Sequence, residues 1–237
     1  MVRKLKTIAC HILVYFCAII TLPASSVDPE QTVEFNFSAL SVGAGDFSNI
    51  YYMAPDESIV KIEMSRYRRS AVYSYRGPEN MTFYSRSFDA DGEPVLEPVG
   101  TVDASKNYEQ ALIFFTKPNN NLDPLPYTIF LANDDAESFP ANTIRVFNGT
   151  GVRLFGRVND IDRSFEFGIS DAIPWPMQSE SGRFRVGFAV ETRDGPRIVF
   201  QNQLEYSVGN RVILMLEPPR RPGSIRIQAF SISESAM

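Results

Sequence analysis

Every cysteine and the only histidine of this chain lie within its first 17 residues. Cys10, His11 and Cys17 fall in an N-terminal apolar stretch, and no thiol or imidazole follows. The remainder of the chain therefore cannot form Cys/His metal sites, disulfides, or Ser-His-Asp and Cys-His catalytic groups. The sequence predicts no cofactor.

Carboxylates are the strong acid–base groups that remain. A glycosidase needs two of them across one cleft, whereas Asp in a turn serves the backbone geometry. All the clusters fall in predicted turns, so we interpret them as turn residues and predict no enzyme. A carbohydrate-active hydrolase that uses paired carboxylates is the alternative. The clusters are Asp56/Glu57, Asp89/Asp91/Glu93, Asp134/Asp135/Glu137 and Asp160/Asp162.

Asp89 and Asp91 are candidate calcium ligands. Their spacing matches the start of an Asp-x-Asp-x-Asp-Gly loop, but the segment is too short and lacks the closing glutamate. Asp91-Gly92 is also a strong hairpin signal. We therefore predict a turn here and no metal site.

Aromatic and arginine side chains are the binding candidates. Tyr73 and Tyr75 alternate, which places them on one face of a strand, and Arg68 and Arg69 precede them. Trp175 lies between two prolines. Exposed aromatic rings can stack on sugars or anchor a protein partner. Burial in a sheet core is the alternative, because large aromatic residues usually bury.

The N-terminus has the three parts of a secretion signal. Met1–Lys6 is basic, Thr7–Leu22 is mostly apolar, and Pro23–Ser26 supplies a helix breaker and small residues. The apolar run is shorter than the roughly 20 residues of a membrane span. We expect cleavage after Ser26 and a periplasmic or extracellular protein. It would contact the membrane only through this segment, and only if the segment is not cleaved.

Charge excludes one class of partner. After residue 26 the chain has 20 basic and 28 acidic side chains, so it lacks the basic footprint of a nucleic-acid-binding protein. The charge divides unevenly: residues 27–139 hold 18 acidic and 8 basic side chains, and residues 140–237 hold 10 and 12.

The chain after residue 26 reads as all-β. Short apolar segments alternate with Gly, Pro, Asn and Asp, and no window has a helical period. In residues 183–190 every even position is Phe or Val, and Arg183, Arg185 and Gly187 occupy the opposite face. This alternation is typical of a half-buried strand in an antiparallel sheet.

The two halves of the chain resemble each other. A strand, an Asp-Gly turn and a strand occur at residues 83–95 and again at 188–198, and the apolar run at 112–118 matches 213–218. We interpret this as a tandem duplication of a roughly 95-residue β unit. The acidic segment Asp134–Pro140 is the candidate hinge between the units.

Turn signals that recur about every 8–12 residues, as they do here, favour β-sandwiches. The predicted organisation is a signal peptide at 1–26, a first antiparallel, Ig-like sandwich at 27–139, and a second at 140–237. One continuous sandwich or barrel is the alternative. With its signal and the Phe139–Asn148 start of its second unit, the chain resembles uncharacterised small secreted two-unit β-sandwich proteins of environmental Gram-negative bacteria.

That resemblance covers nearly all of the chain after the signal. It implies a compartment and a fold; these proteins have no assigned activity, and the resemblance supplies no site residues. We therefore expect an exported, non-catalytic binding or structural module of the cell envelope. Its partner would be an envelope protein or a glycan, bound by loops at the sandwich ends or by an exposed sheet edge.

Overall fold

The computed structural model describes residues 32–106, 108–118, 124–175 and 181–236. Within these ranges the chain consists of strands, turns and loops and contains no helix, which confirms the predicted all-β class. The predicted signal peptide, residues 1–26, lies outside the described residues. None of the described segments is a helix long and apolar enough to cross a membrane.

Most strands coincide with the apolar segments that the sequence pattern predicts. Gln110–Thr116 has the predicted bounds, whereas the two-residue strand Ile173–Pro174 is not predicted. The strands of the described ranges are β1 (Thr32–Ser41), β2 (Tyr51–Met53), β3 (Ile59–Lys61), β4 (Tyr73–Pro78), β5 (Asn80–Phe88), β6 (Pro94–Asp103), β7 (Gln110–Thr116), β8 (Thr128–Asn133), β9 (Thr143–Asn148), β10 (Leu154–Val158), β11 (Ile161–Phe165), β12 (Gly168–Ile169), β13 (Ile173–Pro174), β14 (Ser181–Thr192), β15 (Gly195–Ser207), β16 (Asn210–Glu217) and β17 (Gln228–Ser235).

These strands form four open sheets, two from each half of the chain. In the first half (residues 32–139), the first inner sheet has the order β4-β1-β7-β8 and the first outer sheet has the order β3-β2-β5-β6. In the second half (residues 140–236), the second inner sheet is β12-β9-β16-β17, with β13 also paired to β9. The second outer sheet is β11-β10-β14-β15.

Each inner sheet contains one parallel pair, which the prediction of purely antiparallel sandwiches does not include. β1 runs parallel to β7, and β9 runs parallel to β16, while the other ladders are antiparallel. Parallel pairing needs a long connection. The hairpin of the outer sheet lies between the paired strands in each half and supplies that connection.

Buried apolar side chains separate the sheets into four layers. Phe37 and Phe83 belong to the cluster between the first inner and first outer sheets, and Val146 and Phe188 belong to the corresponding cluster of the second half. A third cluster fills the space between the two inner sheets. The layers therefore follow the order outer, inner, inner, outer.

The inner sheets are covered on both faces, and the sequence reflects it. Residues 111–116 of β7 are all buried, as are residues 211–217 of β16. Such strands read as continuous apolar runs. Between the inner sheets, Phe114 stacks on Phe147 with ring centroids 4.8 Å apart and planes at 14°.

The junction between the halves is packed. Phe139 has no exposed surface, and it lies between the guanidinium groups of Arg145 and Arg211, whose carbons are 4.7 and 4.8 Å from its ring centre. Arg145 also donates to the carbonyl groups of Asn133 and Ser138. The segment predicted as a hinge is thus held by both halves of the chain.

Candidate functional site

Tyr73 and Tyr75 share one face of β4, as expected, but that face points into the core. Tyr75 is 5% exposed and packs on Phe35 with ring centroids 5.3 Å apart. Tyr73 is half-buried against Phe37, at 5.6 Å, and its hydroxyl accepts a hydrogen bond from the Glu63 backbone at 2.9 Å. Neither ring is displayed for stacking on a ligand.

Trp175 is 3% exposed and belongs to the core of the second half. Its ring stacks on Phe184, with centroids 5.3 Å apart and planes at 13°, and it also contacts Tyr206. Its Nε1 has no hydrogen-bond acceptor among the described residues. Trp175 is therefore a core residue, which is the alternative to an exposed binding site that the sequence left open.

Arg68 is exposed, but Arg69 enters a buried ionic network between the halves. The Arg69 guanidinium donates to Asp134 at 2.5 Å, to Glu234, and to the Ser38 hydroxyl at 2.8 Å. The five residues selected from the sequence therefore do not form one exposed surface. One is exposed, two are half-buried, and two are buried.

The ionic network joins the two halves of the chain. Arg69 and Asp134 come from the first half, and Arg211 and Glu234 come from the second. Burial lowers the pKa of Arg69, but hydrogen bonds and charge from Asp134 and Glu234 outweigh it and raise that pKa. Two cations face two anions, so the charges of the network are compensated.

The carboxylate clusters hold turns and ion pairs. The Asp56 carboxylate accepts hydrogen bonds from the backbone and hydroxyl of Ser58, and these lower its pKa. Asp89 accepts from the backbone N–H groups of Asp91 and Glu93, both at 2.9 Å. No group of three potential metal ligands occurs among the described residues. These contacts are those of turn residues.

A groove crosses the exposed face of the second outer sheet. It consists of two adjoining depressions of about 660 and 560 Å³, and both are lined by Arg157, Gly187 and Gln201. We call it the outer groove. It runs along β14, with β10 on one side and β15 on the other. Because neighbouring strands lie about 4.8 Å apart, the backbones of β10 and β15, which carry its walls, are about 9.6 Å apart.

One end of the outer groove is apolar. Ala189 forms the floor, and in register beside it are Phe155 on β10 and Ile198 on β15. Phe155 is 42% exposed and Ile198 is 67% exposed. A β-bulge at this point places Val199 in the core and leaves Ile198 on the surface. Two large apolar side chains thus form opposite walls.

The other end is polar. Gly187 forms the floor between Arg157 and Gln201, and Arg185 lies two residues further along β14 in register with Gln203. Arg157 forms a bidentate ion pair with Asp162, with both contacts at 2.6 Å. Guanidinium and amide groups line this end and offer hydrogen-bond donors to solvent, and Asp160 adds one carboxylate to the same lining.

Gly187 has no packing reason to be glycine. An added Cβ would meet only the Phe200 carbonyl oxygen, at 3.9 Å. Gly156, on the neighbouring strand, is different, since its Cβ would lie 2.6 Å from ring atoms of both Phe165 and Phe188. Glycine weakens the interior of a strand and often marks the close approach of a ligand. Gly187 keeps the groove open.

The first outer sheet has larger side chains at the corresponding positions. Its hairpin carries the same type of bulge, between Phe83 and Tyr84, where the second has Phe188 and Ala189. At the positions that correspond to Gly187 and Ala189, the first outer sheet has Thr82 and Tyr84. Thr82 and Tyr84 line a smaller depression on that sheet, of about 410 Å³, so the larger groove with a glycine in its floor belongs to the second half.

The sequence pattern gave part of this site. Alternation places Arg185 and Gly187 on the solvent face of their strand, and the structure has them there. Phe155 and Gln201 were not selected, because only strand register brings them beside Gly187. The chain matches no protein-family model, and no curated protein is significantly similar to it.

Proposed function

We propose that this chain is an exported, non-catalytic binding module of the cell envelope that holds a glycan chain in the outer groove. Gly187 carries the proposal, since it leaves the floor of the groove open in the middle of a central strand without any steric need. The surrounding walls combine apolar side chains with guanidinium and amide donors, the mixture that lines ligand sites.

A glycan fits this surface better than a peptide. The groove lies on the face of the sheet, where the backbone groups of β14 are already paired with β10 and β15. A peptide strand would find no free edge there to pair with. The free donors belong to side chains such as Gln201 and Gln203, which suit hydroxyl and carboxyl oxygens, while Phe155 offers a ring to the C–H face of a sugar.

The proposal includes two tandem Ig-like sandwich units, at 27–139 and 140–237. The matched strand orders support it. So does a repeated contact: the Ser70 hydroxyl accepts from the Ala39 backbone at 2.8 Å and donates to the next carbonyl at 2.7 Å, and Ser170 does the same with Val146 and Asp171, at 3.0 and 2.8 Å.

The contact between the units occurs twice, with the roles of the two units exchanged. Tyr67 of the first half stacks on Phe230 of the second, with centroids 3.9 Å apart. Phe167 of the second half packs on Phe130 of the first, at 5.1 Å. Such reciprocal pairs are typical of an isologous, two-fold interface. We infer that the inner sheets pack as the two protomers of a dimer would.

Export rests on residues 1–26 and is tested directly. When the full chain is produced in a Gram-negative host, the mature protein should be found in the periplasm or medium and should begin at Val27. N-terminal sequencing and intact mass measure this. Recovery of an uncleaved protein in the cytoplasm would refute export without bearing on the groove.

Binding is tested with the exported protein and immobilised polysaccharides, by affinity electrophoresis. We expect one class of glycan to retard the wild-type protein and Gly187→Trp, which fills the groove, to abolish the retardation. Thr101→Trp adds the same ring to the exposed face of the first outer sheet and should leave binding intact. Equal binding by both variants, no glycan binding at all, or Gly187-dependent binding of a protein instead would overturn the proposal.

A further inference from the structure

We propose that the outer groove selects acidic glycans and that Arg185 recognises their carboxylate groups. This inference rests on the proposed function, because it names the class of ligand for the same groove. Three features of the molecule support it: the pairing of the arginines of this sheet, the spacing of the apolar and cationic parts of the groove, and the difference in charge between the two halves.

The arginines that flank Arg185 have carboxylate partners. Arg157 pairs with Asp162 at 2.6 Å, and Arg183 pairs with Glu205 at 2.9 Å. Both pairs lie across neighbouring strands and follow from strand register. Strand register therefore places an acidic residue directly opposite each of these two arginines.

Arg185 is the exception on β14. The residue in register with it on β15 is Gln203, which is neutral. Arg185 is exposed and lines the polar depression of about 560 Å³ together with Asp160, but it forms no ion pair with that or any other described carboxylate. Its guanidinium can therefore donate two hydrogen bonds to one carboxylate, and this bidentate geometry is the strongest form of the contact.

The spacing of the groove defines the shape of the ligand. Ala189, at the apolar end, is four residues from Arg185 along β14, which corresponds to about 13 Å at about 3.3 Å per residue. A ligand that contacts Phe155 and Arg185 together must therefore be extended, with an apolar face at one end and an anion about 13 Å away. A chain of acidic sugars meets both requirements.

The two halves of the molecule differ in how they would interact with such a chain. Residues 140–237 have 12 basic and 10 acidic side chains, whereas residues 27–139 have 8 and 18. Because Arg145 and Arg211 are buried, the exposed charge of the second half is close to neutral, whereas the acidic first half would repel an acidic polymer. The charge difference thus directs an anionic chain to the side of the molecule that has the groove.

The test compares two forms of one polymer. Polygalacturonate carries a carboxylate on each sugar, and its methyl ester has the same backbone without the charge. We expect the exported wild-type protein to bind the acid at least about tenfold more tightly than the ester, which corresponds to about 1.4 kcal/mol. Isothermal titration at low and at high salt measures both affinities.

Variants locate the effect. Arg185→Gln should weaken binding of the acid about tenfold and leave binding of the ester unchanged, and Arg185→Lys should fall between it and the wild type. Arg193→Gln removes an exposed charge from the β14–β15 turn and should have no effect. If acid and ester bind equally and Gly187→Trp abolishes both, acidic selection is overturned and the proposed function stands. If neither polymer nor any other glycan binds, the proposed function itself fails.

Discussion

The Arg211 guanidinium lies 3.2 Å from the Asp134 carboxylate, although 76 intervening residues separate them in the chain. The side chain of Arg211 is 1% exposed and that of Asp134 is 3% exposed. Arg69 approaches the same carboxylate from the first half. One buried anion therefore holds two cations from opposite halves, at the junction between the two inner sheets.

We predict that Asp134→Ala destabilises the fold by about 3–5 kcal/mol, because it leaves buried Arg211 and half-buried Arg69 with only the Glu234 carboxylate between them. Urea unfolding followed by tryptophan fluorescence measures this, since Trp175 is buried. The matched control is Glu205→Ala, whose ion pair with Arg183 is exposed and should change stability by no more than about 1 kcal/mol. Equal losses would show that the network is solvated.

Two glycines near the bulge should respond oppositely to the same change. Gly187→Ala should stabilise the protein by about 0.4–1 kcal/mol, because alanine fits the open space and restricts the unfolded chain. Gly156→Ala should destabilise it by about 1–3 kcal/mol, because its Cβ meets two rings at 2.6 Å. Thermal unfolding distinguishes them. A loss of stability in Gly187→Ala would contradict an open floor.

The repeated serines should be energetically equivalent. Ser70→Ala and Ser170→Ala should each cost about 1–3 kcal/mol, because each strands a buried backbone N–H group. Since they lie in different halves, their effects should add in the double variant to within about 0.5 kcal/mol. The control is Ser58→Ala in an exposed turn. A cost at only one of the two serines would argue against equivalent units.

Acid should weaken the junction through Asp135. The Ser138 backbone N–H donates to its carboxylate at 2.7 Å and holds the pKa of Asp135 below its ordinary value of 3.8. Because the pKa of Asp135 is lower in the folded than in the unfolded state, the ionised carboxylate stabilises the fold above pH 3.8. This contribution is lost as the pH falls through the folded-state pKa. Asp135→Asn should therefore be less stable than wild type at pH 6, with a smaller difference at pH 3. A pH-independent difference would contradict this.

The fold class followed from local pattern, but the fate of the aromatic residues did not. Alternation correctly put Tyr73 and Tyr75 on one face, yet the same alternation describes an exposed face and a core face equally well. Which face is covered depends on the sheet that packs against it, here through Phe35 and Phe37. The arginines raised the same difficulty, since only carboxylate partners far away in the chain, Asp134 and Glu234, distinguish half-buried Arg69 from exposed Arg68.

By itself the sequence determined the all-β class, the strand segments, the two Asp-Gly hairpins and the absence of thiol and imidazole chemistry after residue 17. These depend on residue type and on spacing within a few residues, where steric and hydrogen-bonding preferences act. The tertiary structure decided the parallel β1–β7 and β9–β16 pairs, the ionic network and the groove. Each of these joins residues far apart in the chain, and their register is fixed by the packing of whole sheets rather than by any local preference.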